Sequence, residues 1–236
     1  MNRIFEFFRR LSARGNLLPC PLCRRGFGNG INDFCPECMA QFPLIRGSRC
    51  PGCGGELDGI LGQCSKCLRE PQRPWLYALA LMDYRQNARE MIHDLKFHNR
   101  PELARPLGKL AAQSLRQCGE VADILVPVPL HWSRYWTRSY NQSQLFASEC
   151  ARHSGIPCRN VLKRVRRTPH QAALKRKDRL KNLRNAFAVS SPELIAGKNV
   201  WLVDDVLTTG STLAEAAKTA EMPTVPISPR LRITVR

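Results

Sequence analysis

Four cysteine pairs of identical spacing constrain the first seventy residues more than any other feature of the sequence. Each pair has the form Cys-x-x-Cys, a turn that directs two thiolates to one point, and two such turns complete a tetrahedral site. The pairs are Cys20 and Cys23, Cys35 and Cys38, Cys50 and Cys53, and Cys64 and Cys67. Glycines cluster between them and large apolar residues are few, so a bound metal must supply much of the folding free energy. The pattern predicts a double zinc ribbon over residues 20–70.

Both predicted zinc sites are closed and structural, because cysteine fills every ligand position and no position is left for catalysis. The simplest pairing is sequential, with the first four cysteines on one zinc and the last four on another; a cross-braced pairing is the alternative. The even repetition disfavours a redox role for any one pair. The other cysteines are interpreted as small buried residues rather than nucleophiles: Cys118, Cys150 and Cys158.

From this sequence we expect neither a signal peptide nor a transmembrane helix. A run of about 18 uncharged apolar residues would be needed to span a membrane, and none occurs. Residues 1–19 mix phenylalanine and leucine with arginine and glutamate, which predicts a short amphipathic segment. We therefore expect a cytoplasmic protein, a compartment that also disfavours disulfides.

After a proline-containing linker around Pro71 and Pro74, apolar strands alternate with helical periodicities. Strands are predicted over 76–82 and 123–130, and helices over 88–97, from Pro101 to 115, and over 139–153. This alternation predicts an α/β domain over residues 75–236, built on a parallel sheet. Ligands of such sheets bind beyond the carboxyl ends of the strands.

An apolar strand at 200–203 runs directly into two acids, Asp204 and Asp205. A hydroxyl-rich turn and a helix follow, and the free N–H groups and dipole of a helix N-terminus bind phosphate. The turn contains Thr208, Thr209, Gly210, Ser211 and Thr212. Adjacent acids beside a phosphate site suit a ligand with hydroxyls or a metal, such as a phosphorylated sugar. The alternative is an ordinary strand–helix turn in which Thr212 and Glu215 form a capping box.

Positive charge is concentrated in one segment. The chain carries a net charge of +18, and residues 159–184 contain eleven basic residues and one acid, Asp178. A solvated helix face would mix signs, so we interpret the segment as an arm that contacts a polyanion. Its candidate contact residues are Arg164, Arg166, Arg167, Lys175, Arg176 and Arg179. Residues 131–142 mix arginine with aromatic residues, which suits either a phosphate- or base-binding loop or a capped surface loop.

Residues 202–212 resemble the phosphoribosyl pyrophosphate (PRPP) signature of type I phosphoribosyltransferases. The layout over about residues 20–213 is similar to that of the ComF/GntX family of bacterial competence-associated proteins. The shared features are the paired cysteines, Val126-Pro-Val-Pro-Leu130, Arg138-Ser-Tyr-Asn-Gln142, and Gln171, Arg179, Asn182 and Asn185-Ala-Phe187. The resemblance implies a type I phosphoribosyltransferase-like parallel sheet behind an N-terminal zinc-ribbon module.

The resemblance also implies roles for individual residues. Asp204 and Asp205 would be the catalytic pair that holds the ribose 2′- and 3′-hydroxyls, and Thr208–Thr212 would bind the 5′-phosphate. Arg138 would assist at the pyrophosphate, with which Mg²⁺ would arrive. Residues 164–179 of the basic arm would correspond to the flexible loop that closes over the site in type I enzymes.

The implied function is that of a PRPP-binding, phosphoribosyltransferase-like protein that acts with single-stranded DNA or other nucleic acid in DNA uptake or utilisation. Competence helicase and uptake proteins are candidate partners. The alternatives are a non-catalytic DNA-binding or protein adaptor on the same fold, and a nucleobase-salvage phosphoribosyltransferase. The chain departs from the family after Glu221, where three prolines follow, and residues 231–236 are predicted to form at most a short edge strand.

Overall fold

The computed structural model describes residues 19–28, 33–57, 59, 61–69, 73–130, 140–166 and 183–221, together with the backbone of 230–234. The chain divides into two compact units, Met1–Phe42 and Pro43–Arg236. The predicted boundaries of a ribbon module over 20–70 and a domain over 75–236 stay a prediction. The predicted amphipathic segment, residues 1–19, lies outside the described residues except for its last position.

The described residues of the first unit, 19–28 and 33–42, contain a turn and one short helix. The Cys20 N–H donates a hydrogen bond to the Gly26 carbonyl at 2.7 Å and closes the turn. Helix α1, Pro36–Ala40, begins with a proline, whose missing N–H is not needed at that position. Phe34 and Phe42 pack edge to face with their ring centroids 4.8 Å apart. Both rings are buried, as are Cys20, Cys35 and Cys38.

The second unit begins with a similar turn and helix. The Cys50 N–H donates to the Gly55 carbonyl at 2.8 Å, and helix α2, Ser65–Arg69, follows. The Ile45 N–H donates to the Leu81 carbonyl at 3.0 Å. This hydrogen bond ties the start of the unit to the segment that follows its first strand.

A four-stranded parallel sheet forms the centre of the second unit. Its strands are β1 (Tyr77–Leu79), β2 (Ile124–Pro127), β5 (Asn199–Val203) and β6 (Arg230–Thr234). The spatial order is β1-β6-β5-β2, and all three pairings are parallel. The predicted α/β class with a parallel sheet is therefore confirmed.

The position of β6 differs from the prediction. Ile233 lies opposite Ala78 of β1 on one side and opposite Leu202 of β5 on the other. The strand is thus interior, and the prediction of an edge strand was wrong. The short, basic composition indicated an edge strand. Strand order, however, depends on which neighbouring strands have backbone N–H and C=O groups that need hydrogen-bond partners. Here both β1 and β5 pair with β6.

Four longer helices belong to the described part of the second unit. They are α3 (Gln86–Phe97), α4 (Ala104–Gln117), α5 (Gln142–Ser154) and α6 (Ser211–Ala220). The predicted helices before residue 155 correspond to α3, α4 and α5, with a 3₁₀ turn at Pro101–Leu103 ahead of α4. Helices α4 and α5 pack closely, since a Cβ on Gly108 would lie 2.4 Å from the Glu149 Cβ. Within the described ranges, no helix combines the length and apolar character that a bilayer crossing requires.

Both faces of the sheet are covered. Val126 and Leu202 belong to a buried apolar cluster that includes Leu213 of α6. Their neighbours Leu125 and Trp201 are also fully buried, and alternation along a strand places these on the opposite face. Burial on both sides explains why the strands read as continuous apolar runs in the sequence.

A separate antiparallel pair lies between α5 and β5 in the chain. Strand β3, Leu162–Arg164, pairs with β4, Phe187–Val189, with Arg164 opposite Phe187. Residues 167–182, between these strands, lie outside the described residues. The described parts of the predicted basic arm therefore belong to the base of a hairpin.

Candidate functional site

Two neighbouring strands end at the same edge of the sheet. Pro127, the last residue of β2, lies opposite Val203, the last residue of β5. The Val128 N–H continues the pairing with a hydrogen bond to the Val203 carbonyl at 2.8 Å. Asp204 and Asp205 follow at once, so the two acids lie at the carboxyl edge where parallel α/β sheets bind ligands.

The first acid, Asp204, is half-buried. Its Oδ1 accepts hydrogen bonds from the Ser143 hydroxyl and from the Asp205 N–H, both at 2.9 Å. Burial and the charge of Asp205 raise the pKa of Asp204 to about 7, against opposing effects of Lys96 and the two donors. Asp204 therefore changes charge near neutral pH, and a ligand that donates hydrogen bonds to it favours the ionised form.

The second acid, Asp205, forms an ion pair with α3. The Lys96 Nζ lies 2.8 Å from the Asp205 Oδ1, and the side chains are 17% and 14% exposed. Such limited exposure reduces solvent screening relative to a surface pair. When both acids are ionised, Lys96 leaves the group of three side chains with one net negative charge.

The hydroxyl-rich segment Thr208–Thr212, hereafter the signature turn, connects the acids to α6. Gly210 has a φ of 74° and is the N-cap of α6, which begins at Ser211. The Thr209 Oγ1 lies 2.8 Å from the Ser211 Oγ and accepts the Ser211 N–H at 3.4 Å. The first turn of a helix presents N–H groups and the positive end of its dipole. The structure thus places the signature turn at a helix N-terminus, shortly after both acids.

The alternative interpretation of this turn as a capping box was wrong. A box from Thr212 to Glu215 requires Thr212 to be the N-cap, whereas α6 begins one residue earlier, at Ser211. Glu215 instead accepts a hydrogen bond from the Asn185 N–H through its Oε1 at 2.6 Å. Glu215 therefore ties α6 to the segment before β4.

Residues assigned to the linker support the signature turn. The Arg73 Nη1 donates to the Thr209 carbonyl at 2.7 Å, and the Arg73 guanidinium carbon lies 5.4 Å from the centroid of the Trp75 ring. A Cβ on Gly210 would come within 2.6 Å of the Arg73 Nη1 and 3.3 Å of the Trp75 Cη2. The positive φ therefore favours glycine at this position, and an added Cβ would also have to displace the end of the Arg73 side chain.

The segment between β2 and α5 positions the partner of Asp204. Asn141 caps α5, since its Oδ1 accepts the Ser143 N–H at 3.1 Å while its Nδ2 donates to the Val128 carbonyl at 3.1 Å. The Tyr140 hydroxyl donates to the Leu95 carbonyl at 2.6 Å. Asn141, considered above for phosphate or base binding, is 5% exposed and bonds to the backbone at both ends of its amide.

The predicted basic arm is described at its two ends. Arg164 lies over the Phe187 ring, with its guanidinium carbon 5.5 Å from the ring centroid. Arg166 is exposed, and its Nη1 donates to the Arg184 carbonyl at 2.7 Å. The remaining predicted phosphate or polyanion contacts lie outside the described residues: Arg138, Arg167, Lys175, Arg176 and Arg179.

The eight paired cysteines form two groups of four. The first cluster is Cys20, Cys23, Cys35 and Cys38, and the second cluster is Cys50, Cys53, Cys64 and Cys67. In each cluster the Sγ atoms all lie within 4.8 Å of one another. The grouping follows the sequential pairing, and the cross-braced alternative is not what the structure shows. The first cluster belongs to the first unit and the second cluster to the second unit.

The donors of both clusters fit zinc, because four thiolates at one point match its preferred tetrahedral site. Hydrogen bonds from the backbone N–H groups of Gly26 and Arg25 lower the pKa of Cys23 to about 6. At Cys50, burial raises the pKa, but backbone N–H groups led by that of Cys64 outweigh it and lower the pKa to about 7. Burial raises the pKa of Cys38 and Cys67 in the same clusters, so it is the close grouping of four sulfurs that lets each cluster hold one metal ion. Outside the clusters, burial raises the pKa of Cys150 to about 12, which fits an inert thiol.

Two further features lie near α3. An apolar cavity of about 20 Å³ borders Asp205, and its volume admits roughly one water molecule but no nucleobase. It is lined by Leu81, Met82, Tyr84, Ala88, Ile92, Leu95, Leu107 and Phe146 in addition to Asp205. His93, Asp94 and His98 also lie together, but the Asp94 carboxylate already binds His98 at 2.8 Å and Arg100 at 3.0 Å.

Sequence reasoning missed the side chains that hold the site together: Arg73, Trp75, Lys96 and Ser143. Arg73 is 136 positions from its partner Thr209, and Ser143 is 61 from Asp204. No local pattern marks contacts of such separation. Trp75 carried a usable signal, since it is a large apolar residue in an otherwise polar, proline-containing linker.

Comparison with known proteins identifies relatives over most of the chain, although no protein-family model matches it. Competence protein F of Haemophilus influenzae is 34% identical over 221 residues, 91% of each chain. The DNA utilization protein YhgH of Salmonella typhimurium is 36% identical over 205 residues, 84% of this chain and 88% of that protein. Competence protein ComFC of Bacillus subtilis is 27% identical over 220 residues, 85% of this chain and 88% of that protein. Similarity of this extent shows that the chain belongs to the ComF family of competence-associated proteins.

Proposed function

We propose that this protein binds PRPP at the two acids and the signature turn, and that it acts with nucleic acid in DNA uptake or utilisation. The observation that carries the proposal is the position of Asp204 and Asp205 at the carboxyl end of β5, directly before the N-terminus of α6. The names of the relatives refer to competence and to DNA utilization, which supports the second part.

The chemistry of the described residues suits the two ends of a ribose 5-phosphate group. Carboxylates at Asp204 and Asp205 accept hydrogen bonds from vicinal hydroxyls. The N–H groups at the start of α6 donate to a phosphate, and Arg73, bonded to the Thr209 carbonyl, adds a positive charge beside them. An acidic pair beside an anion site therefore fits a sugar phosphate better than it fits a simple anion, which would be repelled by the acids.

Lys96 prepares Asp205 for this ligand. Its ammonium group lies 2.8 Å from the Asp205 Oδ1 and fixes the position of the carboxylate through a charge-assisted hydrogen bond. In phosphoribosyl transfer, positive charge develops at the ribose as pyrophosphate leaves, and a fixed carboxylate beside the ribose stabilises that charge. Mg²⁺ would enter with the pyrophosphate, for which Arg138 and the basic arm are the proposed neighbours.

Isothermal calorimetry with PRPP and Mg²⁺ tests the proposal. In the double variant Asp204→Asn/Asp205→Asn, which preserves side-chain shape, we expect the affinity to fall about a hundredfold, because neutral amides replace two charged acceptors. Glu193→Gln removes an exposed acid elsewhere in the unit and is expected to bind as the parent does. Equal PRPP affinity in the double variant and the parent would contradict the proposal.

A pyrophosphate-release assay separates the enzymatic alternatives. The protein is incubated with PRPP, Mg²⁺ and, in turn, single nucleobases, nucleosides and single-stranded DNA. Release with one nucleobase identifies a salvage enzyme, and release with DNA identifies transfer to nucleic acid. PRPP binding without release under any condition identifies the non-catalytic adaptor.

The β3–β4 hairpin supports nucleic acid binding. Its described residues, 159–166 and 183–190, contain basic side chains and no acids. Arg159, Lys163, Arg166 and Arg184 are exposed. An exposed surface of one sign attracts a polyanion without sequence preference.

A further inference from the structure

The second cluster is joined to the signature turn by a short series of contacts that begins at Gly52. Gly52 lies inside the first Cys-x-x-Cys turn of the cluster, between Cys50 and Cys53, and its carbonyl accepts the Trp75 Nε1–H at 3.1 Å. The Trp75 side chain is only 8% exposed, so water competes little for this bond. A movement of the cysteine turn would therefore also move the indole.

The same indole and its neighbour Arg73 form the support under the signature turn. Arg73 holds the Thr209 carbonyl at 2.7 Å and lies over the Trp75 ring. The contact is tight, because even a methyl group on Gly210 would meet both side chains. A displacement of the indole would thus reach the backbone whose N–H groups face the proposed phosphate.

The cysteine turn around Gly52 is itself held between a ligand sulfur and the backbone that follows β1. A Cβ on Gly52 would lie 3.0 Å from the Cys67 Sγ, and a Cβ on Gly54 would lie 2.5 Å from the Ala80 nitrogen. A metal bound to all four thiolates fixes the Cys67 side of this arrangement. Without the metal, no covalent link holds the two cysteine turns of the cluster together.

We propose that the metal in the second cluster positions the signature turn through Gly52, Trp75 and Arg73. Trp75 and Arg73 are then positioning residues that act on the ligand through Thr209 and Gly210. Loss of the metal releases the cysteine turn, the indole loses its fixed acceptor, and the start of α6 becomes more mobile. The inference depends on the proposed function for the identity of the ligand, whereas the link from metal to turn is a property of the protein alone.

Hydrogen–deuterium exchange of the full-length protein tests the link without any ligand. In Cys64→Ser/Cys67→Ser, which removes half of the second cluster, we expect the amides of residues 209–213 to exchange about tenfold faster. Trp75→Phe and Arg73→Gln keep all eight cysteines and should accelerate the same amides about threefold, with two zinc ions per chain retained. The matched control Cys35→Ser/Cys38→Ser removes half of the first cluster and should leave these amides unchanged.

A double-mutant cycle identifies the route. If the metal acts through the indole, Trp75→Phe added to Cys64→Ser/Cys67→Ser produces almost no further acceleration. Full additivity of the two effects, or unchanged exchange at 209–213 in Cys64→Ser/Cys67→Ser, would overturn the proposal. Should that cysteine variant not fold, unchanged exchange in both Trp75→Phe and Arg73→Gln would overturn it equally.

Affinity for ribose 5-phosphate, measured by calorimetry on the same variants, separates this inference from the proposed function. We expect the Kd to rise about tenfold in Cys64→Ser/Cys67→Ser and about threefold in Trp75→Phe. Faster exchange with no ribose 5-phosphate binding in any form would refute the proposed ligand and uphold the link. Normal binding with unchanged exchange would refute the link and uphold the ligand.

Discussion

The two cysteine clusters have the same ligands and the same spacing within each pair, yet their surroundings differ. In the first cluster, a Cβ on Gly26 would lie 2.7 Å from the Cys35 Cβ, so the glycine packs against the cluster itself. In the second cluster, Gly52 bonds to Trp75 and Gly54 packs against Ala80, next to β1. The same four ligands can therefore have different structural roles, because the role of a site depends on what its backbone contacts.

Loss of metal should produce the largest difference between the two clusters. We expect Cys64→Ser/Cys67→Ser to lower the melting temperature of the second unit by about 10 °C, which corresponds to about 3 kcal/mol in a domain of this size. The cause is loss of the metal that fixes the cysteine turn around Gly52, and with it the hydrogen bond from Gly52 to Trp75 ahead of β1. Differential scanning calorimetry with zinc quantification measures the effect.

The control for this prediction is Cys35→Ser/Cys38→Ser, which should lose one zinc ion per chain and leave the transition of the second unit in place. Protease digestion should then cleave within residues 19–42 before the rest of the chain. An equal shift of the second unit's transition in both variants would show that the two clusters have the same role.

Substitution of Gly210 tests the contacts that lie farthest from the second cluster, those of Gly210 with Arg73 and Trp75. Gly210→Ala adds a Cβ at a φ of 74° and within 2.6 Å of Arg73, so we expect a loss of about 2–3 kcal/mol in unfolding free energy. Gly155→Ala has a similar φ of 79° with open space around it, and should cost only about 1 kcal/mol. Urea denaturation compares the two. Equal losses would mean that contact with Arg73 and Trp75 contributes nothing.

The acids give the second unit a pH response of their own, in addition to the titration of its cysteines. Burial and the charge of Asp205 raise the pKa of Asp204 from 3.8 to about 7. As the pH rises, the unfolded chain therefore loses the Asp204 proton before the folded chain does. The contribution of Asp204 to the free energy of unfolding is fully present below about pH 4 and is lost as the pH rises through 7.

We accordingly expect Asp204→Asn to be more stable than the parent at pH 8, by about 1–3 kcal/mol after allowance for partial exposure. The difference should shrink toward pH 5, where Asp204 is protonated in the folded parent. Thermal unfolding across this pH range measures it, with Glu193→Gln as the control. A difference that is constant with pH would assign the effect to packing rather than to ionisation.

The smallest expected effect concerns the β3–β4 hairpin, which supplies no ligand to either cluster. Arg166→Glu/Arg184→Glu should weaken binding to single-stranded DNA about tenfold at low salt. The difference should shrink as salt rises, because the variant releases fewer counterions on binding and its affinity depends less on salt than that of the parent. Zinc content and exchange at 209–213 should not change. Fluorescence anisotropy at several salt concentrations tests this, and an affinity that does not depend on salt would contradict it.

Much of the fold was predictable because local chemistry fixes it. The spacing of Cys20 and Cys23, and of each later pair, brings two sulfurs together whatever the rest of the chain does. The continuous apolar run before Asp204 indicates a strand buried on both faces, and the turn before α6 follows from its glycine and hydroxyls. The resemblance to the ComF family rested on these same local motifs.

The interior position of β6 could not be predicted, because strand order depends on competition among backbones far apart in the chain. The side chains around the acids were missed for a related reason. Lys96 and Ser143 lie on helices whose periodicity is dominated by core packing, so nothing in their own neighbourhood distinguishes them from solvent-exposed residues.

Residue types and their spacing were enough to predict eight cysteines in four turns, a parallel α/β sheet, and two acids before a hydroxyl-rich helix start. These features depend on residue type and spacing over at most a few turns of chain. Three contacts became known from the folded chain alone: Lys96 forms an ion pair with Asp205, Ser143 bonds to Asp204, and Trp75 connects the second cluster to Gly210. Those contacts join segments that are distant in sequence, and packing of the whole unit is what brings them within hydrogen-bonding distance.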